Sequence, residues 1–309
     1  MWSRTVIAVD LLERDDQLLC LRRAWDDALG GSGSTVLLAG ESGVGKARLA
    51  RVFADGVDDG QVLWGVCDPL GVPRPLGPLH DVAADLGDPV ARSLAAGAPL
   101  HAICDELLRL LRERSVLLVV DDLQWADEAT VDLLRFLLRR MPGTRSLVLA
   151  TYRDDELDHQ HALRGLLGDV ARSPAATRLD VAPLSLEGVT AMVGARDIDP
   201  ARLHRLTRGN SFFVTEIVTQ GGEVLPPTVR DAVLARAAGL DAVARDLAEL
   251  VACAPPGSRT GCCRRSGSGA DPCARSTPPG SWSATGGGSP TGTTSAGSRS
   301  PTPSLPAVT

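Results

Sequence analysis

Short apolar runs and amphipathic stretches alternate along the first part of the chain. Apolar runs of strand length occur at residues 34–39, 62–67, 115–122, 146–151 and 178–181. The run at 115–122 shows no alternation of polar and apolar positions, which is typical of a central strand covered on both faces. A proline-rich stretch at 69–78 predicts a loop. Because helical spacing separates the runs, the pattern predicts an α/β fold with a parallel, doubly wound sheet at residues 34–182.

The regions on either side of this sheet have helical patterns. In the lead-in, residues 1–33, a helix is predicted to open at 11–15 and to end near residue 28, before a flexible Gly/Ser joint at 30–33. Region 183–254 is predicted to be a helical lid with the start of a winged-helix domain. Its predicted helices lie at 186–193, 200–206, 212–218, 227–237 and 241–253.

Residues 255–309 differ in composition from the rest of the chain. Gly, Ser, Thr and Pro dominate, and large aliphatic residues are scarce. Such a segment buries too little apolar surface to offset its chain entropy, so we expect it to be disordered. Two explanations remain open, a linker or the frame-shifted translation of GC-rich coding sequence. We prefer the frameshift as a hypothesis because the preceding helix stops within a domain, and an intact alternate reading frame found by resequencing would support it.

Lys46 is the only lysine of the chain, which otherwise carries its positive charge on arginines. It follows a glycine-rich loop between the first predicted strand and a predicted helix at 47–54. The N–H groups of such a loop bind phosphate together with the helix N-terminus, and a compact ammonium can curl over the loop where a guanidinium does not fit. The sequence therefore predicts a phosphate-binding loop for a nucleoside triphosphate. Its residues are Gly40, Glu41, Ser42, Gly43, Val44, Gly45, Lys46 and Ala47.

The residue after Lys46 departs from the usual pattern of this loop. A Ser or Thr hydroxyl at this position ligates Mg²⁺, but here the residue is Ala47. Magnesium keeps several waters in its coordination sphere, so a water can fill the position with some loss of affinity and positioning. The sequence therefore favours nucleotide binding over hydrolysis.

Two acidic residues end the strand predicted at 115–122. Asp121 is predicted to be an outer ligand of Mg²⁺ or to hold it through water, and Asp122 to orient or deprotonate an attacking water. Taken alone, two aspartates can also simply end a strand. Arg153 follows the strand at 146–151 and is predicted to lie near the triphosphate, where a guanidinium could sense the γ-phosphate. The alternative for Arg153 is a solvated arginine in an acidic loop.

Composition limits the classes of protein that the chain could represent. Its 309 residues, 44% hydrophobic and 23% charged, suffice for one large α/β core and a smaller domain. The net charge of −6 argues against a wide nucleic-acid surface. The sequence shows no apolar run of membrane-spanning length and no signal-peptide pattern, so we expect a cytoplasmic protein. The scattered cysteines are expected to be small core residues: Cys20, Cys67, Cys104 and Cys253.

Five segments together resemble the ATPase module of large LuxR-type transcriptional regulators, which are signal-transducing P-loop ATPases related to AAA+ proteins. The segments lie at 11–15, 40–46, 119–127, 150–153 and 208–213. The resemblance covers about residues 10–254, and its most specific part is the string Asp-Asp-Leu-Gln-Trp-Ala-Asp that starts at Asp121. It implies that Leu12 and Arg14 lie near an adenine and that Arg153 senses the γ-phosphate of ATP.

The resemblance also implies an architecture and a set of partners. The segment 209–213 would begin the helical lid, and 225–230 would lead into the winged-helix domain. Ser211 stands where proline is usual, and the repeat region and the DNA-binding helix-turn-helix of the family are missing from this sequence. We therefore expect ATP or ADP as partner, with Mg²⁺, no direct DNA binding and no membrane, and we leave self-association open.

Three functions follow from these observations. The first is an ATP-hydrolysing regulatory switch, and the second is a module that binds nucleotide without hydrolysing it, as Ala47 suggests. The third is a P-loop phosphotransferase. It is disfavoured because the sequence shows no motif for a second substrate and because the pair Asp121 and Asp122 suits attack by water.

Overall fold

The computed structural model describes residues 11–70, 74–158, 161–221 and 226–252. The chain separates into a compact unit at 1–249 and a second unit at 250–309. The described part of the second unit is the end of the last helix. The predicted disorder of 255–309, Cys253 and the first residue of the segment 225–230 lie outside the described residues.

A five-stranded parallel sheet forms the centre of the first unit. Its strands are β1 Ser34–Gly40, β2 Gln61–Val66, β3 Val116–Asp121, β4 Leu147–Arg153 and β5 Ala176–Asp180. They lie in the order β2-β3-β4-β1-β5, and each neighbouring pair is parallel. The predicted parallel α/β fold is confirmed, with each strand within about two residues of its predicted bounds.

Helices precede, connect and follow these strands. Their bounds are α1 Asp15–Leu29, α2 Lys46–Asp55, α3 Gly77–Asp81, α4 Ala83–Leu86, α5 Asp88–Ala95, α6 Leu100–Glu113, α7 Glu128–Leu138, α8 Leu163–Val170, α9 Leu186–Val193, α10 Pro200–Thr207, α11 Ser211–Thr219, α12 Pro227–Ala238 and α13 Ala242–Ala252. The loop predicted at 69–78 ends earlier than expected, because Pro78 lies in the first turn of α3. Proline is well tolerated there, since the first N–H groups of a helix have no intrahelical partner.

Both faces of the sheet are covered, as the unbroken apolar run of β3 indicates. Leu117 and Val119 pack in one core with residues of α1 and α2. Leu118 and Val120 pack in a second core with residues of helices α3 to α8. Successive side chains of a strand point to opposite faces, so a strand between two layers of helices is apolar at every position.

The helix α1 begins at Asp15, the last residue of the segment 11–15 that the sequence predicted to open it. Glu13 has a φ of 57°, in the left-handed region, and cannot continue a right-handed helix. Its carboxylate accepts hydrogen bonds from the backbone N–H of Ser185, at 2.8 Å, and from the Ser185 hydroxyl. Burial raises the pKa of Glu13, but these hydrogen bonds lower it to below its ordinary value. The backbone before α1 is thus held in a non-helical conformation by hydrogen bonds to Ser185, which is far away in the sequence.

Helices α9 to α11 form a small core of their own, as the helical pattern of 183–254 predicts. Val189, Val193, Leu203 and Val214 lie in this core, and Leu12 packs against it. Each of the three helices has an N-cap side chain that accepts backbone hydrogen bonds: Ser185, Asp199 and Asn210. The identity of this region as a lid, and of its continuation through α12 and α13 as the start of a winged-helix domain, stays a prediction.

The burial of the cysteines and the length of the helices bear on the class of protein that the sequence predicted. Cys67 and Cys104 are buried, as predicted, but Cys20 is exposed. The prediction was wrong for Cys20 because α1 buries the face with Leu21 and Trp25, and one residue along a helix turns the side chain by about 100°. None of the helices in the described ranges is long and apolar enough to cross a membrane.

The connections of β1 and β4 determine where a ligand crevice can open. These strands are neighbours, but the helix after β1, α2, packs on one face of the sheet and the helix after β4, α8, packs on the other. In α/β sheets, ligands bind outside the carboxyl ends of strands at such a point. The last residue of β1, Gly40, pairs in register with Arg153 of β4.

The two faces of the edge strand β2 lead to a stability prediction. Leu63 is 1% exposed in the core, whereas its neighbour Val62 is 36% exposed. We expect Leu63→Ala to lower the free energy of unfolding by about 2–5 kcal/mol, because it leaves a cavity in the core. The matched variant Val62→Ala should cost less than about 1 kcal/mol. Chemical denaturation measures both, and equal losses would contradict the assignment of the buried face.

Candidate functional site

The loop between β1 and α2 has the conformation of an anion-binding loop. Gly43 and Gly45 have φ values of 81° and 100°, in the left-handed region that favours glycine. Gly45 is the N-cap of α2, and Lys46 is the first residue of that helix. The loop therefore ends at a helix N-terminus, whose unpaired N–H groups and dipole attract an anion.

The side chain of Lys46 folds back over this loop. It is 6% exposed, and its Nζ donates hydrogen bonds to the carbonyls of Gly40, at 2.8 Å, and Glu41, at 2.9 Å. Burial lowers the pKa of Lys46 and the positive charge of Arg153 lowers it further, whereas the negative charges of Asp122, Asp155 and Asp154 offset part of this shift. A buried ammonium bound to neutral carbonyls keeps its positive charge available for an anion.

Three other side chains hold carbonyls of the loop from outside it. Arg14, which is buried, donates to the carbonyls of Val44, at 3.2 Å, and Ala182, at 2.6 Å. Asn210 Nδ2 donates to the Ser42 carbonyl at 2.7 Å. The Gly43 carbonyl accepts from the Ser211 hydroxyl and from the Phe212 N–H, both at 2.9 Å. The segment before α1 and the start of α11 thus both bind the loop.

Asp121 and Asp122 lie at the end of β3, on the other wall of the site. The Thr151 hydroxyl donates a hydrogen bond to the Asp121 carboxylate and accepts one, at 3.0 Å, from the Asp122 N–H. Burial raises the pKa of Asp121, and the hydrogen bond from Thr151 offsets only part of this shift. Asp122 has a φ of 58°. Thr151 therefore fixes the two acidic residues relative to β4.

Asp122 also belongs to a network that contains Arg153. Asp122 Oδ1 accepts a hydrogen bond from Gln124 Nε2 at 2.8 Å and lies 3.6 Å from Arg153 Nε. Gln124 Oε1 accepts from the backbone N–H of Arg153 at 3.0 Å. The Arg153 guanidinium also pairs with Glu156 at 2.8 Å. Burial lowers the pKa of Arg153, but Glu156 and Asp122 raise it overall, so the guanidinium remains charged.

These groups surround one cavity of about 410 Å³, within the usual size of small-molecule sites. Of the residues predicted from sequence, those that line it are Leu12, Arg14, Ser42, Gly43, Val44, Gly45, Lys46, Ala47, Asp121, Asp122 and Arg153. Gly40 and Glu41 contribute the carbonyls that hold Lys46. Met192, Phe212, Thr215 and Glu216 extend the lining onto α9 and α11.

The site contains residues to which the sequence analysis assigned no role. Three of these residues lie inside the segments that carry the family resemblance: Thr151 in 150–153, Gln124 in 119–127 and Asn210 in 208–213. Their residue types could therefore have been considered from the sequence. Their partners were not visible, because Thr151 lies 30 residues from Asp121 and Asn210 lies 168 residues from Ser42. Among the described residues, no group of three or more His, Cys, Asp or Glu side chains could hold a metal ion. A divalent cation at Asp121 would therefore need phosphate oxygens and water as further ligands, which suits Mg²⁺.

The chain is similar to known proteins over the region of this site. Residues 10–149 match the family model described as the AAA ATPase domain. The match includes the phosphate-binding loop and the acidic end of β3, and it supports a P-loop ATPase module of the AAA type, with nucleotide binding, in this part of the chain. An uncharacterized protein of Rhizobium meliloti is 28% identical over 176 residues, which are 55% of this chain and 15% of that protein.

Solved structures similar to this chain come from Pyrococcus horikoshii, Pyrobaculum aerophilum and Drosophila. A signal transduction ATPase with numerous domains (STAND) and a tetratricopeptide repeat sensor, from Pyrococcus horikoshii, is 16% identical with a TM-score of 0.42, over 74% of this chain and 34% of that one. Cdc6p from Pyrobaculum aerophilum is 16% identical with a TM-score of 0.44, over 71% and 64%. Drosophila ORC bound to DNA is 19% identical with a TM-score of 0.35, over 54% and 90%. This chain spans 15% of the length of the Rhizobium protein and 34% of the length of the STAND chain.

The hydroxyl of Thr151 leads to a prediction about the stability of the site. We expect Thr151→Val to lower the free energy of unfolding by roughly 1–3 kcal/mol, because Asp121 and the Asp122 N–H lose a buried partner. Thr151→Ser should retain most of the stability. Urea denaturation measures the effect.

The chain offers a matched control for this prediction. Thr35 is also a buried threonine of the sheet, but its hydroxyl has no hydrogen-bond partner within the described residues. Thr35→Val should therefore leave stability unchanged or raise it, since it removes an unpaired polar group. Equal losses in the two valine variants would show that the Thr151 hydrogen bonds contribute nothing.

Proposed function

We propose that this chain is an ATP-binding regulatory switch with slow or impaired ATP hydrolysis, built like the nucleotide-binding domain of a LuxR-type transcriptional regulator. The observation that carries the proposal is the buried ammonium of Lys46, bound to neutral loop carbonyls in a cavity whose other wall holds Asp121, Asp122 and Arg153. The match of residues 10–149 to the AAA ATPase domain supports a nucleotide as the anion.

The lining of the cavity suggests how ATP would be held. The triphosphate would bind the N–H groups of residues 42–47 and the Lys46 ammonium. The adenine would occupy the apolar part of the lining, which includes Leu12, Met192 and Phe212. The Mg²⁺ ion, held by Asp121, would neutralise part of the phosphate charge. The Ala47 side chain cannot contribute a ligand, so metal affinity depends on Asp121, the phosphates and water.

Asp122 and Arg153 are the proposed catalytic pair. Asp122 would orient the attacking water or accept its proton, and Arg153 would bind the γ-phosphate. Arg153 now pairs with Asp122 and Glu156. A γ-phosphate would compete for this guanidinium and change the environment of Asp122. ATP and ADP would therefore affect the network differently, as a switch requires.

The position of the cavity supports a regulatory role. It is lined by residues of the sheet region and by residues of α9 and α11. A nucleotide in it would contact both parts, so it would favour the arrangement in which both contacts are made. The same proposal includes a cytoplasmic location. It leaves open the signal that the protein senses and whether the protein self-associates. The net charge of −6 gives no support to direct DNA binding by this chain.

A second candidate function is nucleotide binding without hydrolysis. Ala47 favours it specifically, because the loop lacks the hydroxyl that normally ligates Mg²⁺. In this case ATP in the site would be replaced by ADP only through dissociation and rebinding, and not through hydrolysis. Both candidates predict the same binding site and differ in the release of phosphate.

The first test of the proposal is the charge of Lys46. Lys46→Ala should weaken ATP binding roughly 10- to 100-fold, the range expected when a hydrogen-bonded charge is lost from a buried site. Isothermal titration calorimetry measures the affinity. Arg51→Ala is a matched control, since Arg51 also lies on α2 but stacks on Trp64, 3.8 Å from its ring centroid. An unchanged ATP affinity in Lys46→Ala would refute the proposed site.

The second test restores the missing hydroxyl. Ala47→Thr should increase both the Mg²⁺ dependence of ATP binding and the rate of phosphate release several-fold, because the metal gains a protein ligand. Phosphate release is measured with and without Mg²⁺ on both proteins. A parent that hydrolyses ATP as fast as the Thr variant would show that Ala47 does not limit hydrolysis. No release by either protein would favour the binding-only function.

A further inference from the structure

The start of α11 makes a dense set of hydrogen bonds to the phosphate-binding loop. The Asn210 side chain donates to the Ser42 carbonyl, and the Ser211 hydroxyl and Phe212 N–H both donate to the Gly43 carbonyl, at distances of 2.7–2.9 Å. Three donors from consecutive residues thus bind two consecutive carbonyls. This arrangement connects the helical region directly to the backbone of the loop.

These bonds affect the face of the loop that would meet phosphate. In a trans peptide, the C=O of one residue and the N–H of the next point in opposite directions. When Asn210 holds the Ser42 carbonyl outward, the Gly43 N–H points to the other side of the loop. Arg14 has the same effect on Val44 and thereby on the Gly45 N–H. The donors outside the loop therefore orient N–H groups inside it.

Close packing shows that this contact is part of the fold. Asn210 is 4% exposed. A Cβ atom at Gly43 would lie 2.8 Å from Asn210 Oδ1 and 3.1 Å from Phe212 Cβ, so a side chain at Gly43 would displace α11. Behind Asn210, the Gly209 carbonyl accepts a hydrogen bond from the Leu184 N–H at 2.8 Å. Asn210 is thus held between the loop and the connection that leaves the sheet.

We infer that Asn210 is a positioning residue for phosphate binding: it orients the loop N–H groups, so the placement of α11 sets the affinity of the site for the polyphosphate of a nucleotide. The inference rests on the proposed nucleotide binding at this loop. According to this inference, the helical region changes nucleotide affinity through the phosphates of the ligand, whether or not it also contacts the base. A displacement of α11 would release the Ser42 and Gly43 carbonyls together and weaken phosphate binding.

Asn210 has a second role, and the test has to separate the two. Its Oδ1 caps α11 by accepting from the Phe213 N–H. Asn210→Ser keeps a good N-cap and adds no charge, but the shorter side chain cannot donate to the Ser42 carbonyl. Asp199→Ser is the matched control, because Asp199 caps the neighbouring helix α10, and its side chain accepts from Ala201 and Arg202 of that helix.

The expected result is a loss of affinity in one variant only. Asn210→Ser should weaken the binding of ATP and of ADP about five- to tenfold, as expected when one hydrogen bond that orients the loop is lost. Asp199→Ser should bind both nucleotides like the parent. Ser211→Ala removes one of two donors to the Gly43 carbonyl and should weaken binding about twofold, a smaller effect of the same kind.

Inorganic triphosphate, which has no base, gives the decisive readout in competition with a fluorescent ATP analogue. If Asn210 acts through the loop, Asn210→Ser weakens the binding of triphosphate by the same factor as the binding of ATP. If the loss appears for ATP and not for triphosphate, α11 acts on the base and the inference is wrong. Unchanged affinities in both Asn210→Ser and Ser211→Ala, or a parent that binds ATP but not triphosphate, would also overturn it. A parent that binds no ATP would instead refute the proposed function itself.

Discussion

The site depends on one constraint: the carbonyls of the phosphate-binding loop need hydrogen-bond donors that hold the loop in the conformation in which its N–H groups can bind an anion. Backbone carbonyls that leave water need donors, and in this chain the donors come from three separate regions. Lys46 from α2 binds Gly40 and Glu41, Arg14 binds Val44, and Asn210 binds Ser42. The loop is therefore a product of tertiary structure, although its sequence pattern is local.

The choice of donors also determines the electrostatics of the site. Lys46 and Arg14 are buried cations whose hydrogen bonds go to neutral carbonyls. Carboxylate partners would compensate these charges, whereas carbonyls solvate them and leave the positive field in place. Arg153 is different, since it pairs with Asp122 and Glu156. A chain with a net charge of −6 thus keeps an electropositive loop beside an acidic wall.

Sequence patterns predicted the sheet, the loop and the acidic ends of the strands because each depends on residues that are adjacent in the chain. The apolar run of β3 requires helices on both faces, and Gly43 and Gly45 allow the backbone angles that the loop needs. The sequence did not show why α1 begins only at Asp15, because the reason is that Glu13 binds Ser185, 172 residues away. Asn210 and Thr151 were visible as residue types, but their importance lies in partners that only the fold brings together. Local periodicity contains no information about such pairs.

The backbone at Asp122 explains how two adjacent acids can differ in environment. Asp122 has a φ of 58°, in the left-handed region, which aspartate adopts more readily than most residues when neighbouring contacts hold it. Here Thr151 holds the Asp122 N–H and Gln124 holds its carboxylate. The turn directs Asp121 toward the Thr151 hydroxyl and Asp122 toward Arg153, so the two carboxylates have separate partners. Because burial raises the pKa of Asp121, a cation that binds there relieves an unfavourable charge. The separate partners of the two carboxylates are the basis for proposing metal binding at Asp121 and water activation at Asp122, and Ala47 bears on the first of these proposed roles.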